Sequence, residues 1–153
     1  MIIAKDLQGK IQVLTRNQVE GVASRAVAKR KADRSQGMDV PEETYFEDIY
    51  QREVYHRWMA NTPEGYGVAN GMEQMKDYIQ CGEVSVHGLS SVLLLTDGLF
   101  HLDDHYKRIL LHVEEQGLEP YAESLAKLET VRGRRVDDKT GIWIQFKDGS
   151  KTI

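Results

Sequence analysis

The chain has 153 residues, 41% of them hydrophobic and 29% charged, with a formal net charge of −4. That is enough chain for one globular domain spanning 1–153, and the mild acidity argues against nucleic acid as a partner. No apolar stretch nears the roughly 20 residues of a membrane span, the lone Cys81 excludes an internal disulfide, and Met1-Ile2-Ile3-Ala4-Lys5-Asp6 has no signal-peptide pattern, so a cytoplasmic location with no membrane partner is expected.

Ile2-Ile3-Ala4 and Ile11-Gln12-Val13-Leu14 read as a β-hairpin with Gly9 in its turn. Thr15 is the expected N-cap of a helix running to about Arg34, with Val19, Val22, Ala23, Ala26 and Val27 on one stripe. Its other face carries Arg25, Lys29, Arg30, Lys31 and Arg34, which read either as a solvated face or as an anion-binding patch. Ser35–Pro41 breaks that helix, and a second from about Glu42 to Asn61 places Phe46, Tyr50, Val54 and Trp58 on one i, i+4 row that reads as core. Thr62–Val68 is a Pro/Gly turn leading into a short strand, Met72–Ile79 a short helix, and Gly82–Val86 a strand.

The run Val92-Leu93-Leu94-Leu95 is too short for a helix and lacks polar alternation, so it suits a strand covered on both faces, ending at Thr96-Asp97-Gly98. Asp97 is then either a cap for the helix after the turn or a carboxylate delivered to a site by a rigid strand. Two amphipathic helices come next as an αα-hairpin. The first has Asp103 or Asp104 as its cap and Tyr106, Ile109, Leu110 and Val113 on one face; the second has Pro120 in its first turn and Leu118, Tyr121, Leu125 and Leu128 on one face. Arg132-Gly133-Arg134-Arg135 makes a basic loop, read either as solvated or as attracting phosphate through Arg134 or Arg135. Asp137-Asp138-Lys139-Thr140 then leads into Gly141–Phe146, an alternating strand with Ile142, Ile144 and Phe146 on one face.

If the strands ending at Asp97 and starting after Asp137 are neighbours, two carboxylates meet without a soft ligand beside them, a combination that favours Mg²⁺ or Mn²⁺. His101 and His105 stand four apart but lack the glutamate of a His-Glu-x-x-His site and read as surface histidines, and Gly65, Gly67 and Gly71 lack the Lys-Ser/Thr ending of a phosphate loop.

The segment Leu94-Leu95-Thr96-Asp97-Gly98-Leu99, two helical segments, and Asp137-Asp138-Lys139-Thr140-Gly141-Ile142 together resemble the C-terminal half of a PP2C-type (PPM) metal-dependent protein serine/threonine phosphatase. The resemblance runs from about Ile2 to Phe146. It implies an α+β fold, a mainly antiparallel sheet with packed helices forming part of an α/β/β/α sandwich. It also implies Asp97 and Asp137 as metal ligands, Asp138 at a non-ligand position, and a phosphoprotein substrate whose phosphomonoester is attacked by metal-activated water. The family's other ligands and its phosphate-binding arginine belong to an N-terminal half with no counterpart in this sequence. The expectation is therefore a partial domain, inactive alone and holding one cation weakly, with a non-catalytic binding or dimerisation module, a homodimer among its forms, as the alternative.

Overall fold

The computed structural model describes residues 1–101 and 103–147. They pack as two compact units, one formed by Met1–Arg16 with the chain from Gly82 onward, the other by Asn17–Cys81. The class is α+β, with one four-stranded, wholly antiparallel sheet in the order β2-β1-β3-β4.

In the first unit, β1 (Ile2–Asp6) turns back into β2 (Ile11–Val13) through Gly9, whose φ of +84° is the left-handed region glycine tolerates best. The Asp6 carboxylate closes the turn by accepting from the Gln8 and Lys10 amides at 3.0 and 2.8 Å. β3 (Leu89–Leu95) lies between β1 and β4 (Gly141–Gln145), and the register sets Ile3, Leu93 and Trp143 in one row and Ile2, Leu94 and Ile142 in the next. Successive strand residues face opposite sides, so the first row joins the core and the second faces away from it. Helices α3 (Tyr106–Gln116) and α4 (Leu118–Val131) cover the core side. Their Ile109, Leu110, Val113, Tyr121 and Leu125 pack with Ile3, Leu93, Leu95 and Leu99. The expected αα-hairpin is present, hinged at Gly117 with φ +91°.

Local expectations fail where long-range bonds outcompete local pattern. The Val92–Leu95 run is not covered on both faces: Leu93 and Leu95 are buried, Val92 and Leu94 only partly. Neither Asp103 nor Asp104 caps α3; His105 holds the N-cap position without a side-chain bond, while Asp103 pairs with Arg132 and Asp104 with His112. Gly82–Val86 is irregular, with Val84 and Val86 exposed, and β3 starts only after Gly88.

In the second unit the helix expected from Thr15 starts only at Val22 (α1, Val22–Ser35). Thr15 Oγ1 instead accepts the Ile2 amide at 2.8 Å. Residues ahead of α1 are held irregular by Arg25, whose guanidinium donates to the carbonyls of Gln18, Glu20, Glu64 and Gly65 at 2.6 to 3.0 Å. The expected Glu42–Asn61 helix is split at Asp48 into a 3₁₀ segment (Glu43–Glu47) and α2 (Ile49–Trp58), because the Asp48 carboxylate accepts the Gln51 amide at 2.9 Å and caps a new start. The aromatic row is broken with it: Phe46 is buried, but Tyr50 and Trp58 are 69% and 77% exposed. Met72–Ile79 is a 3₁₀ segment, Glu73–Tyr78, and the strand expected after Thr62 reduces to a single bridge between Ala60 and Tyr66.

The centre of this unit is Arg30, which the sequence pattern places on a basic, solvent-facing helix side yet which is only 2% exposed. Its guanidinium lies 4.0 Å from the Phe46 ring centre and 4.9 Å from that of Tyr55, and donates twice to Glu43 at 3.0 and 2.6 Å. Cation–π attraction and the bidentate pair together offset the desolvation of the charge.

Candidate cation site at the end of the sheet

The last residue of β3, Leu95, is the register partner of the first residue of β4, Gly141. One step beyond, Thr96 and Thr140 extend the ladder with mixed bonds. The Thr96 amide donates to the Thr140 carbonyl at 3.0 Å, and the Thr140 amide donates to Thr96 Oγ1 at 3.1 Å. Two threonines, β-branched and hydroxyl-bearing, thus clamp the chain leaving β3 to the chain entering β4. Asp97-Gly98-Leu99 forms a single 3₁₀ turn on one side of the clamp, and Asp137-Asp138 lies on the other.

Gly98 fixes how close the two segments come. A Cβ added there would sit 2.1 Å from the Asp138 carbonyl oxygen and 3.4 Å from Asp137 Cβ, so only a residue without a side chain fits. The turn is held from below by α4, whose Tyr121 hydroxyl donates to the Leu99 carbonyl at 3.0 Å; burial pushes that phenol up to about 12. The facing loop is held by Lys139, which donates to Glu129 Oε2 at 2.6 Å and to the Asp137 carbonyl at 3.1 Å. Lys139 and Glu129 are 10% and 7% exposed at their side chains, a nearly dry ion pair anchoring the loop to α4. Asp137 Oδ1 accepts the Asp138 amide at 2.9 Å, so one of its oxygens is engaged within its own turn.

Asp97, Asp137 and Asp138 are all exposed at this end of the sheet, and the clamp and Gly98 bring the segments that carry Asp97 and Asp137 together. Among the described residues, no group of three or more His, Cys, Asp or Glu side chains is arranged to hold a metal ion. A dinuclear centre therefore does not fit the described residues, and two carboxylates match at most one hard cation whose remaining positions are filled by water. Arg134 and Arg135 are exposed on the loop after α4. His105 is exposed, while His101 is partly buried and lies against His112.

The residues that support the site carry no sequence pattern of their own. Glu129 and Lys139 stand ten residues apart with no periodic relation, and Tyr121 reads only as one apolar position of an amphipathic helix. One signal is present: a threonine next to the site end of each strand, Thr96 before Asp97 and Thr140 before Gly141. Comparison with protein-family models, curated proteins and solved structures returned no match.

Proposed function

We propose that this chain is a PP2C-like partial phosphatase domain whose Asp97 and Asp137 bind a single Mg²⁺ or Mn²⁺ weakly, and that alone it does not hydrolyse phosphomonoesters. The observation that carries the reading is the apposition of Gly98 with the Asp137-Asp138 backbone under the Thr96–Thr140 clamp. It supports the resemblance because the residues that match the family's motif lie on two loops pressed together. A bound cation would polarise a phosphoryl oxygen and lower the pKa of its water. The protein's own part is to hold two carboxylates on rigid strand ends, with Tyr121 and the Lys139–Glu129 pair preventing the loops from parting. Turnover on a phosphoprotein would need the ligands and phosphate-holding arginine of an N-terminal half. The exposed thiol of Cys81 suits a reducing, cytoplasmic compartment.

The test is a Mn²⁺ and Mg²⁺ titration read out by thermal unfolding. Free metal at roughly ten times its Kd should add about 1.4 kcal/mol of stability. Asp97→Asn and Asp137→Asn should abolish the gain, Asp138→Asn should largely spare it, and hydrolysis of an aryl phosphate should stay at background throughout. Mn²⁺-dependent turnover lost in Asp97→Asn would overturn the inactive reading, and the absence of any metal effect in the parent would remove the cation site.

The second reading, a non-catalytic binding or homodimerisation module, is favoured by a different observation. Edge strand β4 leaves Ile142 and Ile144 exposed on the side of the sheet that α3 and α4 do not cover.

A further inference from the structure

In the Asn17–Cys81 unit, the segment from Asn61 to Met72 carries the pair Asn70-Gly71, both exposed. The side-chain amide oxygen of Asn70 accepts two hydrogen bonds, from Asn61 Nδ2 at 3.0 Å and from the Met72 amide at 3.2 Å. A backbone N–H only donates, so the Met72 amide identifies Oδ1 of Asn70. The Val68 amide, which donates to Asn61 at 2.8 Å, identifies Oδ1 of Asn61 in the same way. The nitrogen of the Asn70 side chain donates to the Met72 sulfur, a weak acceptor, at 3.1 Å. Asn61 is a firmly held donor: it is 6% exposed, its backbone amide donates to the Tyr66 carbonyl at 2.8 Å, and its Nδ2 also donates to the Val68 carbonyl at 3.0 Å. Gly71, at φ +81°, has nothing within 4 Å of where a Cβ would stand, so the main-chain nitrogen that follows Asn70 is unshielded. The other two asparagines of the sequence, Asn17 and Asn61, are followed by Gln18 and by the β-branched Thr62, whose amide donates to the Met59 carbonyl at 3.2 Å.

We propose that Asn70 is a self-modification site, where the chain converts its own asparagine to aspartate and isoaspartate through attack by the Gly71 nitrogen. Gly71 N gives its proton to hydroxide and bonds to Asn70 Cγ, while the Asn61 and Met72 donors stabilise the negative charge that forms on Oδ1. The Cγ–Nδ2 bond then breaks, and Nδ2 takes a proton from water and leaves as ammonia, which closes a succinimide ring and regenerates the hydroxide. A second water opens the ring. Cleavage on the Cγ side restores the ordinary main chain with an aspartate side chain; cleavage on the main-chain carbonyl side leaves isoaspartate, with one extra methylene in the backbone. The balance is asparagine plus water going to acid plus ammonia, with nothing oxidised or reduced. Either product adds one negative charge to the formal −4 of the chain. The aspartate product keeps an oxygen in place for Asn61 and Met72, and its charge strengthens both bonds. In isoaspartate the inserted methylene moves the carboxylate off these donors, and the segment from Asn61 to Met72 loosens.

The test is prolonged incubation of the full chain in neutral buffer, followed by isoelectric focusing and tandem mass spectrometry, beside a synthetic peptide spanning Trp58–Lys76. A more acidic band should accumulate, with the mass shift of an amide-to-acid exchange confined to Asn70 and ammonia released in equal amount. The rate should rise with pH, because the Gly71 nitrogen must lose its proton. The native chain should react at least as fast as the peptide, in which the Asn61 and Met72 donors are not held at Oδ1. Asn70→Asp should run with the acidic band from the start and change no further. An unchanged Asn70, or conversion at Asn17 or Asn61 in its place, would overturn the proposal. So would a native chain slower than the peptide, since the fold would then protect Asn70. The parent and the peptide decide by themselves if the variant fails to fold.

Discussion

At Gly98 the side chain is excluded by the neighbouring strand end rather than by the turn. From sequence the glycine reads as serving a sharp reversal, but its φ is not positive, and what forbids a Cβ is the Asp138 carbonyl oxygen 2.1 Å away. Gly98→Ala should therefore cost about 1–3 kcal/mol, as overpacking does, and the loss should appear in the urea midpoint. Thermal stabilisation by Mn²⁺ should fall with it, since the two acid-bearing loops must separate. Tyr121→Phe tests the support from below. It leaves the Leu99 carbonyl without its donor and should cost about 1–3 kcal/mol with little change in packing. The phenol also gives a pH signature. Its folded value of about 12 lies above the ordinary 10, so the unfolded chain ionises first and stability should fall as pH rises from about 10 to about 12. That decline should be reduced in Tyr121→Phe. The end of the strand just before Asp97 was legible because an acid and a glycine close an apolar run; the reason for the glycine was not, since it lies about 40 residues away in the chain.

At the level of elements, the sheet and the α3–α4 hairpin could be read because burial alone dictates their pattern. Leu93 and Leu95 face a core built from Ile109, Val113 and Leu125, and each belongs to a local apolar period. The helices of the Asn17–Cys81 unit were misplaced because their ends are set by polar bonds. Arg25 gathers four carbonyls ahead of α1, and Asp48 caps a fresh helix inside what looked like one continuous period. Arg30 shows the limit most sharply. A charge run on a helix is normally solvated, yet here one member lies over two aromatic rings and pairs with a glutamate that it shares with Arg34. The unequal exposure of that pair, 3% for Arg30 and 41% for Glu43, makes a testable asymmetry. Glu43→Gln strands a buried guanidinium and should destabilise by up to about 3 kcal/mol, whereas Arg30→Met removes the buried charge while keeping a long apolar side chain and should cost less. Both can be read by chemical denaturation. The carboxyl of Glu43 is held down at about 2, first by its hydrogen bond from Arg30, and so contributes stability above its ordinary value of 4.5 that should be lost as pH falls from about 4.5 toward 2. Arg30→Met should weaken that acid dependence.

For the whole molecule, the outstanding demand is the sheet face that α3 and α4 leave uncovered. Ile2, Leu94 and Ile142 form one row there and Ala4, Val92 and Ile144 the next; Ala4 is buried, but at the β4 end Ile142 and Ile144 are 57% and 42% exposed. Among the described residues strand β4 is also an edge, and Gly141-Ile142-Trp143-Ile144-Gln145 has none of the lysines, prolines or inward charges with which edges are normally protected against pairing. Apolar surface in water costs about 25 cal/mol per Å², and an edge strand without such protection is a template for pairing with another chain, so both features favour association of two copies. Light scattering over a concentration series should show species heavier than the 17.5 kDa monomer. Ile144→Lys places a charge on the exposed side of that edge and should return the protein to monomer with little loss of stability, because the side chain it replaces is not part of the core cluster. Leu93→Ala should do the reverse, costing about 2–5 kcal/mol from the buried side while leaving the association surface in place. A parent that stays monomeric at every concentration would remove the dimerisation reading and leave the cation site as the function to be tested.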